Sequence, residues 1–99
     1  MKMTFIVHNE YQTDKVMQIF KTLGIDYYTR WDRATGKGHG TEPHLGLGSY
    51  GSTNAVLMVA FREDAPLNAL IEAILATNAS IARTPDHIRL FQLPLDRIV

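Results

Sequence analysis

The run Ala55-Val56-Leu57-Met58-Val59-Ala60-Phe61 is apolar at every position. It is far too short to cross a bilayer and has the length of a buried strand. Alternate side chains of a strand point to opposite faces, so Val56, Met58 and Ala60 oppose Leu57, Val59 and Phe61. Neither set suits water. A chain that holds this strand must cover its sheet on both faces.

The rest of the chain supplies one cover. Met1 to His8 reads as a first strand, with Met3, Phe5 and Val7 on one face and Thr4, Ile6 and His8 on the other. Thr13 or Asp14 is placed to cap a helix whose stripe is Val16, Ile19, Phe20 and Leu23, and Gly24 suits a left-handed stop. Ile25 to Asp32, rich in aromatic residues, reads as a second strand. After the third strand, Asp64 is placed to cap a second helix with Pro66 in its first turn. Its stripe is Leu67, Leu70, Ile71, Ile74 and Leu75, with Asn78 as its stop. Ile88 to Leu93 is the last strand, limited by Pro94.

The order β-α-β-β-α-β predicts an α+β, ferredoxin-like fold: a four-stranded antiparallel sheet with two helices on one face. With 99 residues, 45% of them hydrophobic, residues 1–99 form a single domain with a packed core. Ten basic residues balance ten acidic ones, which argues against a nucleic-acid partner held by bulk charge. The absence of cysteine excludes disulfides, thiolate metal sites and a thiol nucleophile. The N-terminal apolar stretch is too short for a signal peptide, so the expected location is cytoplasmic.

Two helices on one face leave the other bare. The first and last strands are also apolar on both faces: Ile6 against Phe5 and Val7, and Phe91 and Leu93 against Ile88 and Leu90. A second copy of the chain is the simplest cover, which predicts an oligomer packed sheet to sheet.

The connection between the second and third strands, residues 35–53, is anomalous. Most hairpin loops have about two to five residues. This one holds six of the seven glycines: Gly36, Gly38, Gly40, Gly46, Gly48 and Gly51. Ordering so permissive a loop costs entropy, and such loops carry function more often than not. In Thr35-Gly36-Lys37-Gly38-His39-Gly40, backbone amides can converge on an anion while Lys37 adds charge. The spacing is not that of a Walker loop. His39 and His44, with Glu42 between them, offer imidazole and carboxylate ligands for zinc, copper or nickel. His8 is expected to be a satisfied edge or interface residue. His87 opens the last strand beside Arg89, after Arg83-Thr84-Pro85-Asp86. No nucleophile elbow and no Ser/His/Asp set tied by spacing is present, so no enzyme is predicted.

Together these features resemble the PII signal-transduction superfamily over nearly the whole chain. Leu23-Gly24-Ile25 is similar to the family's Val-Gly-Ile at the end of the first helix, and Thr29, Gly36-Lys37-Gly38-His39-Gly40 and the Ile88–Leu95 strand fall where the family places them. Pro43-His44-Leu45-Gly46, and Ser52-Thr53-Asn54 leading into Ala55-Val56-Leu57, resemble the divergent PII-like branch. The resemblance implies a non-enzymatic signalling protein of the nitrogen regulatory P-II kind. It would be a homotrimer whose sheets line a central interior and whose clefts between subunits bind a small effector, usually an adenine nucleotide. The long loop, the family's T-loop, would dock on a target, often a membrane transporter.

Within that frame the expected ligand-binding residues are Thr29, Gly36, Lys37, Gly38, His87 and Arg89. Thr29 would hold the base, the glycines the phosphates, and Lys37 and Arg89 would neutralise charge. Asn54 stands where nucleotide-binding members carry a lysine, Arg83-Thr84-Pro85-Asp86-His87 replaces a glycine-rich turn, and the end Arg97-Ile98-Val99 lacks paired arginines. Few cations remain for a triphosphate, which places ADP, AMP or bicarbonate beside ATP as effectors. No cofactor is expected to be required. The alternative is a metal-responsive regulator resembling the trimeric CutA-type proteins, with His39 and His44 as ligands.

Overall fold

The computed structural model describes residues 1–37 and 53–99. Four strands, β1 (Lys2–Asn9), β2 (Thr29–Ala34), β3 (Asn54–Phe61) and β4 (Arg89–Pro94), alternate with two helices, α1 (Thr13–Leu23) and α2 (Asp64–Ala79). The sheet order is β2-β3-β1-β4 and every neighbouring pair is antiparallel. This is the ferredoxin-like arrangement expected from the sequence.

Both helices press on the same face. The core is built from Ile6, Leu57, Val59, Phe61 and Ile88 of the sheet and its flank, with Val16, Phe20 and Ile25 from around α1 and Leu67, Leu70 and Ile74 from α2. Each fully buried aliphatic or aromatic side chain stabilises the fold by roughly 1.5–3 kcal/mol. The stripe expected on α2 is buried only in part, because Leu75 is 63% exposed.

The helix ends differ from expectation in instructive ways. Neither Thr13 nor Asp14 caps α1. A 3-10 turn, Glu10–Gln12, precedes the helix, and Asn9 caps that turn by accepting from the Tyr11 amide at 2.9 Å. Asp14 and Asp64 instead sit in the first turns of α1 and α2, where a carboxylate is favoured by the exposed amides. Gly24 closes α1 in the left-handed region, φ 72°, as expected. Its amide donates to Lys21 and that of Ile25 to Phe20, a Schellman closure with Ile25 and Phe20 both in the core.

That closure explains why β2 starts at Thr29 rather than Ile25. Ile25 is consumed by the cap, and Tyr27 and Tyr28 form an extended arm. Their rings stand edge-on to Phe61 and Phe20, with centroids 5.9 and 5.7 Å apart. Asn78, expected to stop α2, lies one residue inside its end. Its amide side chain instead pairs like a strand with Ile88, accepting from the Ile88 amide and donating to the Ile88 carbonyl, both at 2.8 Å. This ties the end of α2 to the start of β4.

Candidate functional site

β2 runs out toward the 35–53 connection and β3 returns from it, beside the C-terminal end of β1. β2 reaches this end through a bulge between Trp31 and Ala34, with Arg33 in the left-handed region at φ 58°. Ala34 and Asn9 both pair with Asn54, so β1, β2 and β3 meet there. Gly36 follows, packed so closely on Asn54 that a Cβ would lie 2.7 Å from Asn54 Nδ2. Lys37 lies just beyond and is exposed.

Glu10 holds the two stems of the connection. Its Oε1 accepts from the Thr53 hydroxyl at 2.6 Å and from the Arg33 amide at 2.5 Å, and its own amide donates to the Thr53 carbonyl at 2.9 Å. The Thr53 hydrogen bond, more than the others, holds the Glu10 carboxyl below its ordinary value; the Arg33 amide and charge add to the effect.

Across the sheet, the turn Thr84–Asp86 precedes β4 and is tied to β1 by Asn9 Nδ2, which donates to Asp86 Oδ1 at 3.3 Å. Arg83 Nε lies 3.9 Å from Asp86 Oδ2. His87 Nε2 donates to the Ile81 carbonyl at 2.8 Å, which fixes the proton on that nitrogen and leaves Nδ1 as an acceptor in the neutral ring. His87 and Arg89 stand at one end of a cleft of about 430 Å³ between α2 and β4, walled by Ile71, Ile74, Leu75 and Leu90.

The structure therefore brings the expected residues together in two groups. Gly36 and Lys37 belong to the stem at the β2 edge; Arg89 opens β4 at the opposite edge, with His87 two residues before it. Three strand spacings separate those edges, about 14 Å. Thr29, at the start of edge strand β2, pairs with Met58 and lies roughly 20 Å along the chain from Gly36. Gly38, His39 and His44 lie outside the described residues, as does Glu42. Among the described residues, no three His, Asp or Glu side chains are grouped to hold a metal ion. No described helix is long and apolar enough to cross a membrane.

His8 corrects an expectation. It is not an edge residue but sits on central strand β1, 1% exposed. Nδ1 donates to the Asn9 carbonyl at 2.8 Å, and Nε2 has no hydrogen-bond partner among the described residues. Burial pushes its pKa below the ordinary 6.5, so the ring is kept neutral. Sequence reasoning also passed over Glu10, Arg33 and Thr53. A bulge and a left-handed arginine leave no pattern in a sequence, and Glu10 lies in a polar stretch where one carboxylate looks like any other.

No family model and no curated protein matches the sequence. Solved structures do match. The structure of CPII from Thiomonas intermedia K12 bound to ADP and bicarbonate superposes with a TM-score of 0.68 at 16% identity, covering 97% of this chain and 88% of that one. The same nitrogen regulatory PII-like protein bound to ADP, AMP and bicarbonate gives 0.60 at 15% identity over 99% of this chain and 94% of that one. Bound to ADP, AMP and acetate, CPII gives 0.64 at 14% identity over 97% and 88%. The resemblance read from the sequence is thus borne out at the level of the fold: this chain has the fold of the PII-like proteins.

Proposed function

We propose that this protein is a PII-like, non-enzymatic signalling protein that senses a small anionic effector, an adenine nucleotide, in clefts between identical subunits. The observation that carries the reading is the open sheet face, largely apolar, with the candidate residues at its two opposite edges. Lys37 and Gly36 stand at one edge and Arg89 and His87 at the other, three strand spacings apart. Copies of the chain packed face to face bring the β2 edge of one beside the β4 edge of another, and a homotrimer closes such a ring. CPII, which shares the fold, has been solved with ADP, AMP and bicarbonate, the classes of ligand that few cations favour.

In this reading Gly36 and Gly38 present backbone amides to the phosphates, Lys37 and Arg89 neutralise them, and Thr29 with nearby backbone holds the base. The connection 35–53 then reports the bound state to a target, a membrane transporter being the partner proposed. Effector binding shifts the population of that segment by its differential affinity for the docking-competent form.

Calorimetry with ATP, ADP, AMP and bicarbonate, and separately with zinc, copper and nickel, tests the reading. We expect micromolar ADP or AMP binding that weakens about tenfold or more in Lys37→Ala and in Arg89→Ala, the loss of one charge-assisted contact each. Metal binding abolished by His39→Ala with His44→Ala, in a chain that ignores nucleotides, would establish the CutA-like alternative instead.

A further inference from the structure

Arg33 is a non-glycine residue in the left-handed region, φ 58°, a conformation strained for an L-residue. Something must hold it there. The bulge turns the Arg33 amide out of the ladder with β3, and the Glu10 carboxylate takes it. The same oxygen takes the Thr53 hydroxyl, on the other stem. Glu10 follows directly on Asn9, the last residue of a central strand, so its backbone is fixed by the sheet and by its own hydrogen bond to Thr53. A short, rigid lever thus carries one negative charge to the point where the chain leaves β2 and re-enters before β3. The charged or titratable groups facing it are Arg33 on β2 and His8 on β1, whose buried ring is neutral. Gly36 and Lys37 follow Arg33 within four residues, so their point of departure is set by where Arg33 is pinned.

We propose that Glu10 is a positioning residue: its ionised carboxylate fixes Arg33 against Thr53 and so sets the place from which Gly36 and Lys37 meet an effector. The consequence for effector affinity rests on the sensor reading above; the clamp itself does not.

Glu10→Gln tests both parts, because it keeps the shape and one acceptor oxygen while removing the charge. The clamp is read by amide hydrogen exchange and the amide chemical shift of Arg33, with Ile6 and Leu57 amides as controls that the sheet is intact. In the unaltered protein the Arg33 amide shift follows the carboxylate as it is protonated in acid; in Glu10→Gln that titration is absent. Exchange at Arg33 rises about tenfold, as expected for loss of a charge-assisted bond, and ADP affinity falls by a similar factor. Arg33 exchange unchanged in Glu10→Gln overturns the clamp. Faster Arg33 exchange with ADP affinity intact overturns the positioning role. An unaltered protein that ignores ADP removes the sensor reading, and the Arg33 amide then decides the clamp alone, for or against.

Discussion

The two faces of the sheet differ in the opposite sense to what their side chains would suggest. The face under the helices includes Thr4 and His8, both buried, among its apolar residues. Thr4 is satisfied by donating its hydroxyl to the Val59 carbonyl at 2.9 Å. The face away from the helices is nearly all apolar. In register, Thr29, Met58, Phe5 and Phe91 form one row, Trp31, Val56, Val7 and Arg89 a second, and Ala60, Met3 and Leu93 a third. Trp31, Phe91 and Leu93 are 48%, 54% and 45% exposed. A strand with one solvated face alternates apolar with polar along its length, and β1 and β3 do not. The contrast teaches that composition alone does not mark the inside of this fold: the polar residues are buried where single hydrogen bonds can reach them, and an apolar surface is left open.

The comparison is broken most forcefully by truncating one residue on each face. Leu57→Ala, on the covered face, is expected to lose about 2–5 kcal/mol in denaturant unfolding, the sum of transfer and cavity terms. Its neighbour Met58→Ala, on the open face, is expected to cost stability that grows as the protein is diluted, because mass action links unfolding to dissociation. A Met58→Ala effect within about 0.5 kcal/mol at every concentration would mark the face as ordinary surface.

A smaller effect sharpens the covered face. His8 is held neutral by burial, so its folded pKa lies below the ordinary 6.5. The unfolded chain then binds the extra proton first. The stability His8 retains is fully present above 6.5 and is lost as pH falls through the lower folded value. Glu10 acts in the same direction lower down: its contribution is present above 4.5 and lost as pH falls through its depressed value. His8→Leu should flatten the loss of stability just below pH 6.5 and leave the lower acid limb in place. Thermal melts across that range check it, and an unchanged slope would mean that the ring is protonated in the fold.

How much of this was legible in the sequence follows from the physics of each element. The strands, the helices and the bare face follow from periodicity, which the burial of Ile6, Leu57, Val59, Phe20 and Leu70 on one side satisfies. The start of β2 was misplaced because Ile25 serves the α1 closure and Tyr27 and Tyr28 cover the core edge from an arm, so aromatic content mimicked a strand. The capping roles of Thr13 and Asp14 were misread because the chain enters α1 through a 3-10 turn capped by Asn9. Gly36 and Lys37 stood out because glycine and charge cluster there. Their partners did not: Glu10, Arg33 and Thr53 are brought together by a bulge and a long closure that only the fold specifies. The β2 and β4 edges, 14 Å or so apart by strand spacing, likewise turn one candidate site into two halves.

Sedimentation equilibrium of the unaltered protein beside Phe91→Asp tests the covered-face account most directly, since Phe91 is the most exposed aromatic on the open face and a carboxylate there cannot be buried unpaired. The account predicts a species of three times the 11.1 kDa chain mass that falls to the mass of one chain in Phe91→Asp while its far-ultraviolet dichroism is retained. An unaltered protein that sediments as one chain across the micromolar range would contradict it.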